Sequence, residues 1–201
     1  MDFDYHSIWK DPSIEGIVFD CDGTLADTMP IHWVAWQAVT QKYKLSFTEE
    51  RFYSLGGVPP DEILALISGE QSVDLDADAV AVEKEDLYLT YLHHVKPVNE
   101  VVAVAHARHG EIPMGVASGT PRPVLETVLT HLNLLQLFHA WVGGNEVTRS
   151  KPAPDIFIEA ARRIGVAPEK CLAYEDTDLG MRSARDAGMR VVDVRVLRSR
   201  S

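Results

Sequence analysis

The order of apolar and polar positions divides the chain into two styles of element. Residues 14–19 form a short apolar run rich in β-branched side chains, which ends at Asp20 and the turn pair Asp22-Gly23. That pattern reads as a buried strand. After Pro30, Trp33, Trp36, Ala38 and Val39 are interleaved with polar residues as far as Lys44, at helical spacing. Helical patterns continue over 48–55, 60–68 and 78–94, with Gly56-Gly57 and Pro59-Pro60 breaking the first two apart. No strand-like run stands between Met29 and Lys96.

Beyond Lys96 the style changes. A helical pattern over 98–109 is followed by a strand over 112–117 that ends at Ser118. Helix 121–131, strand 140–142 and helix 154–164 come next. Strand 171–174 ends at Glu175-Asp176, and helix 177–187 leads to strand 190–194. Alternation of this kind predicts an α/β fold, a Rossmann-like, doubly wound parallel sheet with helices on both faces. The all-helical stretch reads as an insertion after the first strand. The expected division is a core of residues 1–28 plus 97–201 and an inserted unit of 29–96.

Composition narrows the class. The chain has 201 residues, 46% of them hydrophobic, enough for a sizeable core. A formal net charge of -11 disfavours nucleic acid and anionic membrane as partners. It would also repel a phosphorylated ligand, so a phosphate site would need local positive charge. The two cysteines, Cys21 and Cys171, make no disulfide framework. No apolar run approaches the ~20 residues of a membrane span. Residues 1–6 are acidic and lack the regions of a signal peptide, so a cytoplasmic location is expected.

Four polar clusters fall just after predicted strands, where ligands bind in open parallel sheets. Asp20-Cys21-Asp22-Gly23-Thr24 offers two carboxylates, one able to attack phosphorus while the other handles the leaving-group proton. Read alone, it fits an acidic turn equally well. Ser118-Gly119-Thr120-Pro121 offers a hydroxyl and free N–H groups for an anion, or simple helix capping by Thr120. Lys151, between Ser150 and Pro152, could neutralise a phosphate and an attacking aspartate together; the alternative is a solvated loop lysine. Glu175-Asp176-Thr177-Asp178 suits Mg²⁺, which takes oxygen ligands, or N-terminal capping by Asp176 or Thr177.

The order of these features resembles the haloacid dehalogenase-like superfamily of phosphotransferases, over 16–194. Within it, Phe19-Asp20-Cys21-Asp22-Gly23-Thr24-Leu25-Ala26-Asp27-Thr28, followed by His32 and Trp36, resembles the first motif of the β-phosphoglucomutase-like branch. Ser150-Lys151-Pro152-Ala153-Pro154-Asp155-Ile156-Phe157 and Glu175-Asp176-Thr177-Asp178-Leu179-Gly180 resemble its later motifs. Residues 29–96 match its helical cap. The resemblance implies that Asp20 is a nucleophile forming an aspartyl-phosphate and also a Mg²⁺ ligand. It implies that Asp22 is the acid/base, with its carbonyl on the metal. Asp176 would be a ligand, Glu175 a ligand or a residue behind one, and Ser118 and Lys151 would hold the transferring phosphoryl group. Gly119 and Thr120 would add contacts. Thr28 and His32 match positions near the cap hinge linked to substrate binding or acid/base control. Trp36 and Gly57 join the substrate-binding candidates on the cap side.

Asp22 separates this chain from haloacid dehalogenases and phosphonoacetaldehyde hydrolases, which lack that second aspartate. Cysteine-dependent phosphatases need an arginine six residues after the nucleophile, where Asp27 and Thr177 stand here. No nucleotide-binding glycine loop is present. Mutases of the branch carry a lysine and an arginine in a cap loop; Gly56 and Pro60 occupy those positions. That loop and residues 192–197 are more similar to bacterial fructose-1-phosphatases. The expected activity is therefore hydrolysis of a small phosphorylated sugar. A β-phosphoglucomutase is the alternative, and a catalytically silent metal-binding regulator the third reading. Trp33 and Trp36 are expected to pack between cap and core, His93 and His94 to face different sides of a helix, Arg122 to make a surface ion pair, and the basic residues 195–201 to be disordered.

Overall fold

The computed structural model describes residues 7–198. The acidic N-terminal residues 1–6 and the last three of the basic tail, 199–201, lie outside that range.

β1 (Gly16–Phe19), β2 (Met114–Ala117), β3 (Ala140–Val142), β4 (Cys171–Glu175) and β5 (Arg190–Asp193) form one sheet in the order β3-β2-β1-β4-β5, every pairing parallel. Because successive side chains in a strand point to opposite faces, the central strands are apolar throughout. Ile17, Phe19, Met114, Val116, Leu172, Tyr174 and Val192 face one layer, packed with α5 (Asn99–Arg108), α6 (Arg122–His131) and α9 (Val194–Arg198). Val18, Ala117, Val142, Cys171 and Ala173 face the other, covered by α7 (Asp155–Ile164) and α8 (Asp178–Asp186). The doubly wound α/β architecture is as the alternating pattern predicts.

Four helices make up the segment between β1 and α5: α1 (Met29–Lys42), α2 (Glu49–Ser54), α3 (Pro60–Gln71) and α4 (Ala77–Thr90). Their starts follow from local chemistry. Pro30 and Pro60 sit in the first turns of α1 and α3, where a missing N–H costs nothing. The Thr48 hydroxyl accepts from the Arg51 N–H at 3.2 Å to cap α2, and Asp76 caps α4 through Ala79. The segment has an apolar cluster of its own, built on Trp36, Val39, Phe52, Leu64 and Ile67. Ile31, Ala35 and Tyr88 belong instead to the sheet's cluster and tie α1 and α4 to it.

Several expectations are corrected. Trp33 and Trp36 pack within the helical segment's own cluster, Trp33 stacking on Phe52 at 5.6 Å, rather than between it and the sheet. The helix expected over 78–94 breaks after Thr90, and a 3-10 turn follows at Leu92–His94. That tighter turn brings His93 and His94 together, ring centroids 4.0 Å apart, instead of on different sides. Residues 194–198 are helical, not disordered: Leu197 is buried with the apolar residues of α5. Thr120 caps no helix; Pro121 takes the N-cap position of α6. Arg122 does pair at the surface, with Glu126 at 2.8 Å and Glu146 at 3.1 Å. No described helix is long and apolar enough to cross a membrane.

Candidate active site

The strand order reverses direction at β1, so the crevice at the carboxyl ends of β1, β2 and β4 is the topological switch point where such sheets bind ligands. Backbone pairing carries the key residues just past the strand ends. The Asp20 N–H donates to the Tyr174 carbonyl at 2.9 Å, and the Ser118 N–H to the Val142 carbonyl at 3.0 Å. Both residues therefore emerge in fixed register above a rigid, buried sheet.

The four predicted clusters meet there. Lys151 Nζ, itself buried, donates to Asp20 Oδ1 at 2.7 Å and to Glu175 Oε2 at 2.6 Å. Burial alone would lower the Lys151 pKa; the two carboxylates overcome that and raise it. Asp20 is pushed well up, first by burial and then by the charge of Glu175, with Lys151 opposing. Burial and Glu175 likewise raise Asp176 to about 7. Glu175 is saturated by the chain itself: Oε1 accepts from the Asp176 and Thr177 N–H groups and from the Thr177 hydroxyl.

Asp22 has a different environment. Its Oδ1 accepts from Thr28 Oγ1 at 2.9 Å and faces His32 Nε2 at 3.4 Å; its Oδ2 accepts from Thr120 Oγ1 at 2.7 Å and Ser118 Oγ at 3.1 Å. Burial alone would raise its pKa, but the donors, His32 foremost, hold it below the usual carboxylate range. The two aspartates are thus driven in opposite directions by their surroundings, the arrangement that separates roles between paired carboxylates. The Ser118 hydroxyl, expected to hold a phosphoryl group, is turned onto Asp22 here, and so is the hydroxyl of Thr120, from which backbone contacts were expected.

Asp20, Glu175 and Asp176 each offer an oxygen within 4.8 Å of the others, so they can hold a metal ion. All three are hard oxygen donors, as divalent magnesium or calcium requires. Two glycines make the cluster possible. A Cβ at Gly23, whose φ is +86°, would run into the Asp176 carboxylate, and one at Gly180 into that of Glu175. Thr24 Oγ1 completes the arrangement, donating to Asp176 Oδ1 at 3.1 Å.

A cavity of about 90 Å³ lies over these groups. Asp20, Asp22, Gly119, Thr120, Lys151 and Glu175 form its floor, while His32, Trp36, Phe52, Gly56, Gly57 and Ile63 lie on the side of the helical segment. Sequence reasoning missed Lys84 and Glu85, which also line it. Lys84 is 2% exposed, and its Nζ lies 2.7 Å from His32 Nδ1 and 2.7 Å from Glu85 Oε1. An ammonium can only donate, so Nδ1 is the acceptor and the His32 proton sits on Nε2, facing Asp22. Burial lowers the Lys84 pKa against the pull of Glu85. A signal was present in the pattern: Val80, Lys84 and Tyr88 fall at i, i+4 and i+8, so the lysine stands in the buried stripe of its helix.

A parallel sheet with carboxylates and a lysine converging at its switch point, and a helical segment closing over them, define a class of metal-assisted hydrolases. The chain belongs to the haloacid dehalogenase-like hydrolases, whose family model matches residues 17–194. Fructose-1-phosphate phosphatase YqaB of Escherichia coli is 40% identical to it over 183 residues, 90% of this chain and 97% of the relative. A phosphorylated carbohydrates phosphatase of Thermotoga maritima is 29% identical, over 88% of this chain and 82% of the relative. The fold is shared with β-phosphoglucomutase of Clostridium difficile, at a TM-score of 0.81 and 24% identity, covering 92% of this chain and 87% of that one.

Proposed function

We propose that the chain is a Mg²⁺-dependent phosphatase of small sugar phosphates, fructose 1-phosphate among them, that works through an aspartyl-phosphate on Asp20. The observation that carries this reading is the pairing of Asp20 with Lys151 beside a second, separately held carboxylate, Asp22, under one cavity. In the same reading residues 1–28 plus 97–201 are the core and 29–96 the cap. The partner is a small phosphorylated metabolite, in the cytoplasm.

Asp20 and Asp176 would hold the ion, with the main-chain carbonyl of Asp22. Glu175, whose oxygens already accept from Lys151 and from the main chain, would fix Lys151 and the turn behind it. The ion, when bound, supplies positive charge that lets an anionic carboxylate approach a phosphate dianion. Lys151 does the same from the protein side while holding Asp20 Oδ1, which leaves Oδ2 to attack phosphorus. As the Asp20–phosphorus bond forms, the bond from phosphorus to the sugar oxygen breaks. Asp22, relieved of the Ser118 and Thr120 hydroxyls by the incoming phosphoryl group, takes up a proton from water and delivers it to that oxygen. A water then attacks the phosphorus, Asp22 takes the water's proton, and inorganic phosphate leaves with Asp20 restored. Thr28 and His32 orient Asp22 for both transfers.

Mutase chemistry is disfavoured by the cap loop. Gly56 and Pro60 line the cavity and place no cation there to grip the second phosphate of a bisphosphate intermediate.

Phosphate release from fructose 1-phosphate and from para-nitrophenyl phosphate tests the reading. Both are expected to require Mg²⁺ and to fall by about four orders of magnitude or more in Asp20→Asn. Activity that survives that substitution overturns the nucleophile. Conversion of β-glucose 1-phosphate to glucose 6-phosphate without phosphate release overturns the phosphatase.

A further inference from the structure

The cap side of the cavity carries a charged side chain that the chemistry above does not use. Glu85 follows Lys84 on α4 and lines the same cavity as Asp20 and Asp22. Its side chain is 14% exposed. One oxygen, Oε1, accepts from Lys84 Nζ at 2.7 Å; the other, Oε2, is buried and has no hydrogen-bond partner. Lys84 is in turn anchored on His32 at 2.7 Å, so the carboxylate is held at Oε1. A buried acceptor left without a donor is costly, the more so when it is charged.

Phe52, Leu55, Val58 and Ile63 present apolar surface on that side, and the polar groups of His32 and Lys84 already engage each other. The Trp36 indole N–H and the Tyr88 hydroxyl make no hydrogen bond to Glu85 Oε2. Among the described residues, Glu85 Oε2 is thus the unmatched acceptor of the cap wall. Glu85 lines the cavity, so a ligand seated there can supply a donor once the carboxylate turns about its Oε1 contact. A ligand whose phosphoryl group is seated against Asp20 carries its remaining atoms along the wall that includes Glu85.

We propose that Glu85 is a specificity-determining residue that reads the non-phosphorylated part of the substrate, accepting a hydrogen bond from a hydroxyl of a neutral polyol chain and rejecting a carboxylate in the same place. The inference rests on the phosphatase reading and deepens it. An O–H donor relieves the unmatched oxygen with a charge-assisted bond. A substrate carboxylate would instead face Glu85 Oε2 with no cation between them, because Lys84 is spent on Oε1 and on His32.

Glycerol 3-phosphate and 3-phosphoglycerate test this directly, since they differ only in a terminal hydroxymethyl or carboxylate group. Steady-state rates of the Mg²⁺-loaded full chain are measured on both, on O-phosphoethanolamine and on para-nitrophenyl phosphate. The wild type is expected to prefer glycerol 3-phosphate over 3-phosphoglycerate by about tenfold or more in kcat/KM. Glu85→Gln keeps an acceptor but removes the charge. It is expected to narrow that preference about tenfold, chiefly through a lower KM for 3-phosphoglycerate. Glu85→Ala is expected to raise the KM for glycerol 3-phosphate about tenfold. Each preference is a ratio within one variant, so a loss of folded protein cancels; thermal melting reports that loss separately. An unchanged ratio in Glu85→Gln, with para-nitrophenyl phosphate still hydrolysed, overturns the role of Glu85 and leaves the phosphatase standing. A wild-type preference for O-phosphoethanolamine over glycerol 3-phosphate overturns the hydroxyl assignment. No hydrolysis of any of the four by the wild type overturns both readings.

Discussion

The floor and the roof of the cavity are built on opposite principles. On the floor, polar groups from four separate chain segments satisfy one another: Asp22 is met by Thr28, His32, Ser118 and Thr120, and Lys151 by Asp20 and Glu175. On the roof, an apolar wall from the cap helices carries one short polar series, His32–Lys84–Glu85, that ends in an unmatched oxygen. A floor whose side chains hold one another in place before any substrate arrives suits chemistry common to every substrate. A roof left incomplete suits discrimination among them. Enzymes gain rate from groups preorganised at the reacting atoms and gain selectivity from contacts remote from them. Here the two tasks fall on different parts of the chain.

The comparison is most exposed to attack at Asp22, the floor residue that the roof also touches through His32. Asp22→Asn keeps the shape and removes the proton carrier. Loss of general acid–base assistance is expected to lower kcat by about 10²–10⁴. The loss should be larger for glycerol 3-phosphate than for para-nitrophenyl phosphate, whose phenolate departs without a proton. Equal losses on the two would mean that Asp22 serves structure rather than proton transfer, and the floor would no longer be the seat of the chemistry.

The roof is tested next, with a smaller effect on rate and a larger one on stability. Lys84→Met fills the space of the buried side chain but leaves Glu85 as an uncompensated carboxylate, and His32 Nδ1 without its donor. Breaking a buried ion pair from one side costs about 3–5 kcal/mol. The expected result is a lower melting temperature, largely restored when Glu85→Gln is added, because the orphaned charge is then removed. Failure of the second substitution to restore it would show that the two side chains are not coupled, and that the roof's polar series is no unit.

How much of this was legible in the sequence follows from the same division. Floor residues sit at strand ends, and strand ends are written as short apolar runs that stop abruptly. Phe19 before Asp20, Ala117 before Ser118 and Tyr174 before Glu175 are all fully buried, so the pattern that predicts the strand also places the site residue. The parallel sheet then does the convergence. Roof residues have no such marker. The placement of Glu85 depends on how α4 packs against α1, which period and composition do not encode. Lys84 was visible only as a charge in the apolar register of Val80 and Tyr88, which marks it as buried without saying what it meets. The tight turn that brings His93 against His94 and the packing of Leu197 under α5 were hidden for the same reason. Local propensity does not report tertiary contact.

The smallest effect probes whether the floor is as rigid as its hydrogen bonds suggest. Thr24 is fully buried, and its hydroxyl donates to Asp176 Oδ1 at 3.1 Å. It touches neither the cavity nor, in the proposed reaction, the phosphate. Thr24→Val replaces the hydroxyl with a methyl group of similar size, so packing is kept while one donor to a proposed metal ligand is lost. A hydrogen bond to a charged group contributes about 1.5–3 kcal/mol, but the Asp176 carboxylate can recover part of that by turning toward the ion. The expected outcome is a several-fold rise in the Mg²⁺ concentration that half-activates the enzyme, with a smaller change in kcat once metal is saturating. Isothermal titration of Mg²⁺ into the variant gives the same quantity without turnover. A fall in saturated kcat with unchanged metal affinity would place Thr24 with the reacting groups, and the floor would then extend one residue deeper along the first turn than Asp22.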